Sequence, residues 1–334
     1  MPRRFDTSVL LAIAALLIIN SHLEAYYPRP WMAADGLLGV SIFYMLSGFG
    51  VQCSLLGRKQ SFLDYYARRL WRLYPAVIIV VLAAHLLRGS AITDMSPGQL
   101  FAAFIWPTNY TYVIWIVPFY AIIYFTGRGA TMKRSLWILA LLAIGYAASA
   151  VRDAAAPGFP AHLQLGNLSL LNQTMYYALA FFIGAALAVS ADRIDISGRT
   201  WLLLGVMILI AVGLYVAAKY VMVVRGQGSA AFPVLHALVL FICVAAFFVT
   251  THDLTMRPLR KVPLLALGIT LLAAITLETY VVHQALAHWS KLVAIRFPLN
   301  IAALVGLTIA LSIPLHLLIN RLTPIWKNRE KSVG

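Results

Sequence analysis

Charged residues are scarce in this chain of 334 residues. Asp, Glu, Lys and Arg make up 11% of the sequence, whereas hydrophobic residues make up 62% and the mean hydropathy is +0.84. A chain with this composition cannot bury its apolar surface in one soluble core of ordinary proportions. The shortage of charge therefore excludes a soluble globular protein and indicates an integral membrane protein.

Acidic residues are scarcer still, with 11 Asp and Glu against 26 Lys and Arg, which gives a net charge of +15. Such an excess would suit a nucleic-acid partner only if the basic residues formed a patch on a soluble face. Here they lie in short segments between apolar runs. Nucleic acid is therefore not expected as a partner.

The chain also has few features that would indicate a secreted or metal-binding protein. Its two cysteines, Cys53 and Cys243, both lie in hydrophobic runs, so no disulfide framework is expected. No pattern of residues predicts a metal site, and there is no tandem repeat or low-complexity segment. The first hydrophobic run is not followed by a small-residue cleavage site, so it is expected to remain as a helix.

Long hydrophobic runs are abundant. A helix needs about 20 apolar residues to span the hydrocarbon core, and about ten runs approach that length. They predict an all-α membrane bundle of about ten transmembrane helices, forming a single domain over residues 1–334. The runs cover residues 7–26, 36–56, 73–88, 111–127, 135–151, 173–191, 200–220, 232–251, 262–287 and 299–320.

The basic residues predict the orientation of this bundle. If the N-terminus is cytoplasmic, 19 of the 26 Lys and Arg residues fall in segments on the inside. This is the distribution that the positive-inside rule requires, so both termini are predicted to be cytoplasmic. On the outside, Ser96–Pro97 predicts the start of a short interfacial helix, because serine is a good cap and proline suits the first turn.

One histidine lies inside the first hydrophobic run. His22 is 15 residues beyond Thr7, or about 22 Å along a helix, which places it in the outer part of the hydrocarbon core. An ionisable side chain at that depth is costly and indicates a function. Imidazole has an unperturbed pKa of about 6.5 and can act as a general base near neutral pH. Glu24 and Asp35 flank the next loop and could orient His22 or contact a substrate.

A carboxyl group lies inside the ninth run. Glu278 is 16 residues beyond Val262, or about 24 Å along a straight helix, which is nearly the depth of His22. A carboxylate at that depth should be protonated or paired, and His22 is the partner that the depths predict. Five other histidines have no neighbouring polar pattern and receive no role. They are His85, His236, His252, His288 and His316.

Three arginines precede the third run, in the segment RRLWRLYP at residues 68–75. On a helix, Arg69 and Arg72 share a face with Arg68 beside them, and clustered guanidinium groups bind phosphate in bidentate fashion. The same cluster also serves the positive-inside rule, so the residues alone leave both functions open.

The order of these parts resembles the acyltransferase-3 family of polytopic membrane proteins, which move acyl groups, usually acetyl, onto sugars. The resemblance is carried by His22, by GLLGVSIFYMLSGFG at residues 36–50 and by RRLWRLYP. Trp115 in the fourth run and Tyr280–His283 in the ninth also match. The resemblance implies an O-acetyltransferase of the bacterial inner membrane that acts on a glycan or lipid-linked sugar, with polysaccharide-synthesis machinery as a further partner.

The resemblance also implies roles for individual residues. His22 would be the general base for the acceptor hydroxyl. Glu278 is expected to be a second catalytic group because of its predicted depth, not because of the resemblance. Arg68, Arg69 and Arg72 would hold the phosphates of acyl-CoA, with acetyl-CoA as the donor and no metal, and Ser47 would help to shape the acyl passage. The residues expected to contact the acceptor are Glu24, Asp35, Trp115, Tyr280 and His283.

Two departures from the family pattern keep other functions open. Many members carry an arginine 11 residues before the histidine, where this chain has Leu11, and the acidic pair often found in the fourth run is missing. Donor recognition therefore falls to other residues, or the chain is a divergent branch. The alternatives are a proton-coupled transporter or flippase that uses His22 and Glu278, and a non-catalytic partner of a polysaccharide synthase.

Overall fold

The computed structural model describes residues 5–33, 36–58, 60–87, 95–108, 110–155, 169–190, 193–225 and 232–322. Within these ranges the secondary structure is helical, without a strand. The α-helices are α1 Ser8–Asn20, α2 Leu37–Gly57, α3 Phe62–Leu87, α4 Pro97–Leu100, α5 Thr111–Gly127, α6 Met132–Ala155, α7 Leu170–Ser190, α8 Gly198–Arg225, α9 Phe232–Thr251, α10 Asp253–Arg260, α11 Pro263–Ala274, α12 Thr276–Leu286, α13 Ser290–Val293 and α14 Leu299–Leu322. A 3₁₀ turn covers Pro30–Met32, and a π-helical turn covers Phe101–Ile105.

Seven of the described helices are long and apolar enough to cross a membrane: α2, α3, α6, α7, α8, α9 and α14. Helices α11 and α12 make an eighth candidate as a broken span, because they are bent by 73° at Ile275. Helices α1 and α5 are apolar but shorter, and they lie in the first and fourth predicted runs. The all-helical, multi-pass architecture is confirmed, whereas the count of about ten and the cytoplasmic termini stay predictions.

The chain divides into two compact units. Unit 1 comprises Met1–Leu11, Val40–Arg58 and Ile123–Ile269, and unit 2 comprises Ala12–Gly39, Lys59–Ile122 and Thr270–Gly334. The prediction of a single functional domain over residues 1–334 stays a prediction.

In unit 1, α2 and α7 meet at two glycines. A Cβ atom on Gly48 would overlap the carbonyl group of Phe181, and one on Gly184 would overlap the carbonyl group of Met45. The two backbones therefore touch without side chains between them. The run of small residues in α2 predicts this kind of close approach.

In unit 2, α12 packs against α3 and α14, and α14 also packs against α3. The turn after α1 is fixed to these helices through Tyr26. Its hydroxyl donates to the carbonyl oxygen of Leu286 at 3.3 Å, and its own carbonyl oxygen accepts from Nδ2 of Asn300 at 2.8 Å. The apolar cluster around it contains Ile19, Leu23, Leu292 and Leu304. These contacts position the segment that carries His22.

The predicted helix after Ser96 is present as α4. The Ser96 hydroxyl accepts from the backbone N–H of Gln99, and the Gln99 side chain accepts from the backbone N–H of Ser96 at 2.8 Å. This reciprocal pair is a capping box, which satisfies two donors at the helix start.

Candidate active site

Two histidines lie side by side in unit 2. His22 is in the turn that follows α1, and its ring centroid is 5.1 Å from that of His283 on α12. His283 is fully buried, and its Nδ1 lies 2.9 Å from the carbonyl oxygen of Thr279. Because a carbonyl can only accept, Nδ1 carries the proton in this bond. The other nitrogen, Nε2, has no hydrogen-bond partner in the part of the chain that the structure describes. A neutral His283 therefore presents a free lone pair inside unit 2.

Tyr280 lies one turn before His283 and connects α12 to the start of α5. Its ring centroid is 5.8 Å from that of His283. Its hydroxyl accepts from the backbone N–H of Tyr112 at 3.3 Å, and its ring meets those of Tyr110 and Tyr112 edge-on. The structure thus brings His22 of the first run together with Tyr280 and His283 of the ninth run, all three of which the sequence analysis selected.

Glu278 is paired with His316 of α14 rather than with His22, so the predicted partner was wrong. Oε1 of Glu278 lies 2.9 Å from Nδ1 of His316, and Nε2 of His316 lies 2.8 Å from Nδ2 of Asn320. The prediction counted depth along a straight helix from Val262. The chain bends by 73° between α11 and α12, and Glu278 lies in the first turn after that bend, so the count does not give its depth.

The three arginines lie on the first half of α3. The guanidinium carbon of Arg69 is 5.6 Å from the ring centroid of Tyr65 and 5.9 Å from that of Tyr120. Arg72 is exposed, and it lies three residues after Arg69 on the same helix, an interval that places two side chains on neighbouring positions of one face. Arg68 is half-buried, and its Nε donates to the carbonyl oxygen of Asp64 at 3.1 Å, while its Nη2 donates to the side chain of Gln60.

The other predicted residues are placed as follows. Ser47 is half-buried on α2 within unit 1, Trp115 is half-buried on α5 within unit 2, and Glu24 is exposed in the turn after α1. Asp35 lies outside the described residues. Among the described side chains, no group of three or more His, Cys, Asp and Glu residues could hold a metal ion.

Two groups of polar residues were missed by the sequence analysis. His316 and Asn320 lie on α14 at an interval of four residues, which is a signal that a search for polar stripes within runs would have found. The second group lies in unit 1. There, Nδ1 of His236 is 2.7 Å from the hydroxyl of Tyr146, and its ring stacks on that of Tyr176 with 3.9 Å between centroids. The hydroxyl of Tyr176 is in turn 2.7 Å from that of Ser41.

Comparison with known proteins connects this geometry to a family. A family model described as an acyltransferase domain matches residues 9–317. The chain is also 30% identical over 95 residues to an O-acetyl transferase of Shigella phage Sf6, and this stretch is 28% of the present chain and 28% of the phage protein. The chain therefore spans little more than a quarter of that relative's length. No solved structure matches the chain.

Proposed function

The chain belongs to the acyltransferase-3 family, and from this membership we propose that it transfers an acetyl group from cytoplasmic acetyl-CoA to a hydroxyl group of a glycan or lipid-linked sugar. The observation that carries the proposal is the pair of His22 and His283 in unit 2, with ring centroids 5.1 Å apart. The location that suits this reaction is the bacterial inner membrane, beside polysaccharide-synthesis machinery.

The chemistry requires one proton transfer at each end of the reaction. The His22 imidazole takes the proton of the acceptor hydroxyl as the oxygen attacks the thioester carbon, which forms the C–O bond. The C–S bond then breaks, and the coenzyme A thiolate takes up one proton. We assign His283, Tyr280, Trp115 and Glu24 to recognition of the acceptor sugar.

The donor site in this proposal is the arginine cluster of α3. Tyr65 and Tyr120 hold the guanidinium group of Arg69 through its contacts with their rings. Arg72 is exposed beside it, so its guanidinium group is available for a phosphate oxygen. Arg68 completes the cluster, and guanidinium groups at this spacing suit the several phosphates of coenzyme A.

A proton-coupled transporter is the second candidate, because the pair formed by the buried Glu278 and the half-buried His316 is a feature that proton-coupled transporters use. A transporter would move its substrate without consuming acetyl-CoA. The fate of the acetyl group therefore separates the two functions.

Acetyl transfer in proteoliposomes tests the proposal. Purified protein is given radiolabelled acetyl-CoA and candidate bacterial glycans, and labelled glycan is measured. We expect His22→Ala to reduce transfer by about 10²–10⁴-fold, the range for loss of a general base, and to leave acetyl-CoA binding unchanged. His85→Ala is the matched control, because the Nδ1 of His85 is bonded to the carbonyl oxygen of Val81 within its own helix at 2.9 Å. Near-normal transfer by His22→Ala would refute the role of His22, and glycan transport without acetylation would favour the transporter.

A further inference from the structure

We propose that the interface between α12 and α14 is a hydrated path that carries protons between the pair of His22 and His283 and the pair of Glu278 and His316. This inference rests on the proposed function, because an acceptor outside and a donor inside leave the released proton and the thiolate on opposite sides of the membrane. Apart from His22, His283 and Glu278, it assigns a role to side chains that neither the family pattern nor the proposed donor and acceptor sites use.

The first observation is a set of buried polar atoms without partners. On α12 they are Oγ1 of Thr279, Nε2 of His283 and Oε1 of Gln284, and on α14 they are Oγ1 of Thr308 and Oγ of Ser312. None of these atoms has a hydrogen-bond partner within the described part of the chain. Thr279, His283, Thr308 and Ser312 are each at most 1% exposed. We call these five residues the α12–α14 seam.

Unpartnered polar atoms at this density require an explanation. Native proteins leave few buried polar groups without a partner, because each one forfeits the hydrogen bonds that it made in water. Water molecules inside proteins satisfy such groups and usually make about three hydrogen bonds each. Hydroxyl groups both donate and accept, so they suit a row of water molecules that passes protons.

The second observation is the spacing of these side chains. Thr308 and Ser312 are four residues apart on α14, and His316 and Asn320 continue the same interval. Thr279 and His283 are four residues apart on α12. Residues at this interval lie on one face of a helix. Because α12 and α14 pack against each other, each helix contributes one polar stripe to the bundle.

The third observation is that α12 carries one member of each titratable pair, Glu278 and His283, five residues apart. At one end, Glu278 of α12 is bonded to His316 of α14. At the other end, Tyr26 bridges Leu286 of α12 and Asn300 of α14, so the two helices run antiparallel. His283 lies between these ends on α12, against His22. The face of α14 from Asn300 to Asn320 is about 30 Å long, which is the thickness of a hydrocarbon core.

The proton balance follows from this arrangement. His22 receives the proton of the acceptor hydroxyl and passes it to Nε2 of His283. Water in the seam carries it past Thr308 and Ser312 to His316 and Glu278, near the end of α14 that is predicted to be cytoplasmic. There it replaces the proton that the coenzyme A thiolate takes up. No oxidant, reductant or further reactant is needed.

The test removes the two seam hydroxyl groups of α14 without removing a titratable group. We expect the double variant Thr308→Val and Ser312→Ala to lower acetyl transfer by roughly tenfold or more, since positioned proton transfers contribute about 10²–10⁴-fold, with an unchanged KM for acetyl-CoA. Thr308→Ser with Ser312→Thr restores both hydroxyl groups and should retain most activity. Thr250→Val is the matched control, because the Thr250 hydroxyl is bonded to the carbonyl oxygen of Ala246 at 2.7 Å within its own helix.

Two measurements keep the inference falsifiable. If the seam is dry, the double variant replaces unpartnered hydroxyl groups with methyl groups and hydrogen, so its melting temperature rises and its turnover stays normal. That result would overturn the path. Hydroxyl-radical footprinting, which modifies side chains beside bound water, should label His283 in the wild-type protein although it is fully buried. Absence of labelling would overturn the path whatever the activity, whereas labelling in a protein that acetylates no glycan would refute only the proposed function.

Discussion

A histidine that acts as a base needs a fixed ring and a lone pair that points at the substrate. His22 lies in a turn rather than within a helix. Hydrogen bonds of the residues around it therefore have to fix its position. Tyr27 donates a hydrogen bond to Oδ1 of Asn20 at 2.6 Å, and the Ser21 hydroxyl donates to the carbonyl oxygen of Ile18 at 2.7 Å. These two bonds hold the turn on either side of His22, whose ring centroid lies 5.1 Å from that of His283.

The arginines of α3 allow a prediction about donor binding. Arg69→Ala and Arg72→Ala should each weaken acetyl-CoA binding on the order of ten- to a hundredfold, because a charge-assisted hydrogen bond contributes about 1.5–3 kcal/mol. Isothermal titration of the detergent-solubilised protein measures the Kd. Arg58→Ala is the control, because Arg58 is exposed and lies outside the RRLWRLYP segment. Unchanged affinity for acetyl-CoA in both variants would refute the assignment of the donor site to α3.

Two substitutions of Glu278 separate its contribution to stability from its contribution to proton transfer. In Glu278→Gln, the amide oxygen can still accept from Nδ1 of His316, so we expect a melting temperature close to that of the wild type. The amide cannot take up a proton at neutral pH, so acetyl transfer should fall by roughly tenfold or more. Glu278→Ala leaves His316 without its acceptor and should also destabilise the protein by about 1–3 kcal/mol. Normal transfer by Glu278→Gln would show that the pair serves only packing.

At the scale of helices, hydrophobicity predicted where the chain is helical but not where a run breaks. The ninth run is continuous in its apolar residues, and no glycine or proline marks Ile275, yet the chain bends there by 73°. The Thr276 hydroxyl accounts for part of this, because it donates to the carbonyl oxygens of Leu272 and Ala273 and occupies groups of the last turn of α11. Because of this bend, the residue count from Val262 does not give the depth of Glu278. Its partner, His316, could therefore not be predicted from depth.

Only some of the polar residues of the candidate site could be predicted from the sequence. His22, Tyr280 and His283 were found because each is a polar residue in an apolar run that matches a family pattern, and the structure places them together. Thr308 and Ser312 carry no such signal, since isolated hydroxyl groups are common in membrane helices and usually bond to their own backbone. Only the structure shows that their oxygens lack this bond.

The glycine contact between α2 and α7 allows a prediction about stability. Gly184→Ala places a Cβ against the carbonyl group of Met45, and overpacking of this kind typically costs about 1–3 kcal/mol. Gly205→Ala on α8 is the matched control, because nothing lies within 4 Å of its Cβ position, and alanine is favoured over glycine within a helix by about 0.5–1 kcal/mol. The melting temperature should therefore fall for Gly184→Ala and rise for Gly205→Ala. A higher melting temperature for Gly184→Ala would contradict the close backbone contact.

At the scale of the whole molecule, the excess of basic residues predicts how the protein is oriented in the membrane. With 26 basic and 11 acidic residues in 334, the charge is too sparse to form a soluble binding face but sufficient to decide which loops stay in the cytoplasm. The proton path and the donor site both depend on this orientation. The arginines of α3 and the end of α14 after His316 must both face the acetyl-CoA pool, while the turn that carries His22 must face the acceptor.

Site-directed labelling in intact cells tests this orientation. The background is the variant without Cys53 and Cys243, the first of which is exposed. Single cysteines at Ala33 and Ala155 should react with a membrane-impermeant thiol reagent. One at Ser332 should react only after the cells are opened, because the positive-inside rule predicts a cytoplasmic location for the basic C-terminal segment. Labelling at Ser332 with protection at Ala33 would show that the orientation is the reverse of the one predicted. The His22 turn would then face the acetyl-CoA pool, and an external acceptor would be excluded.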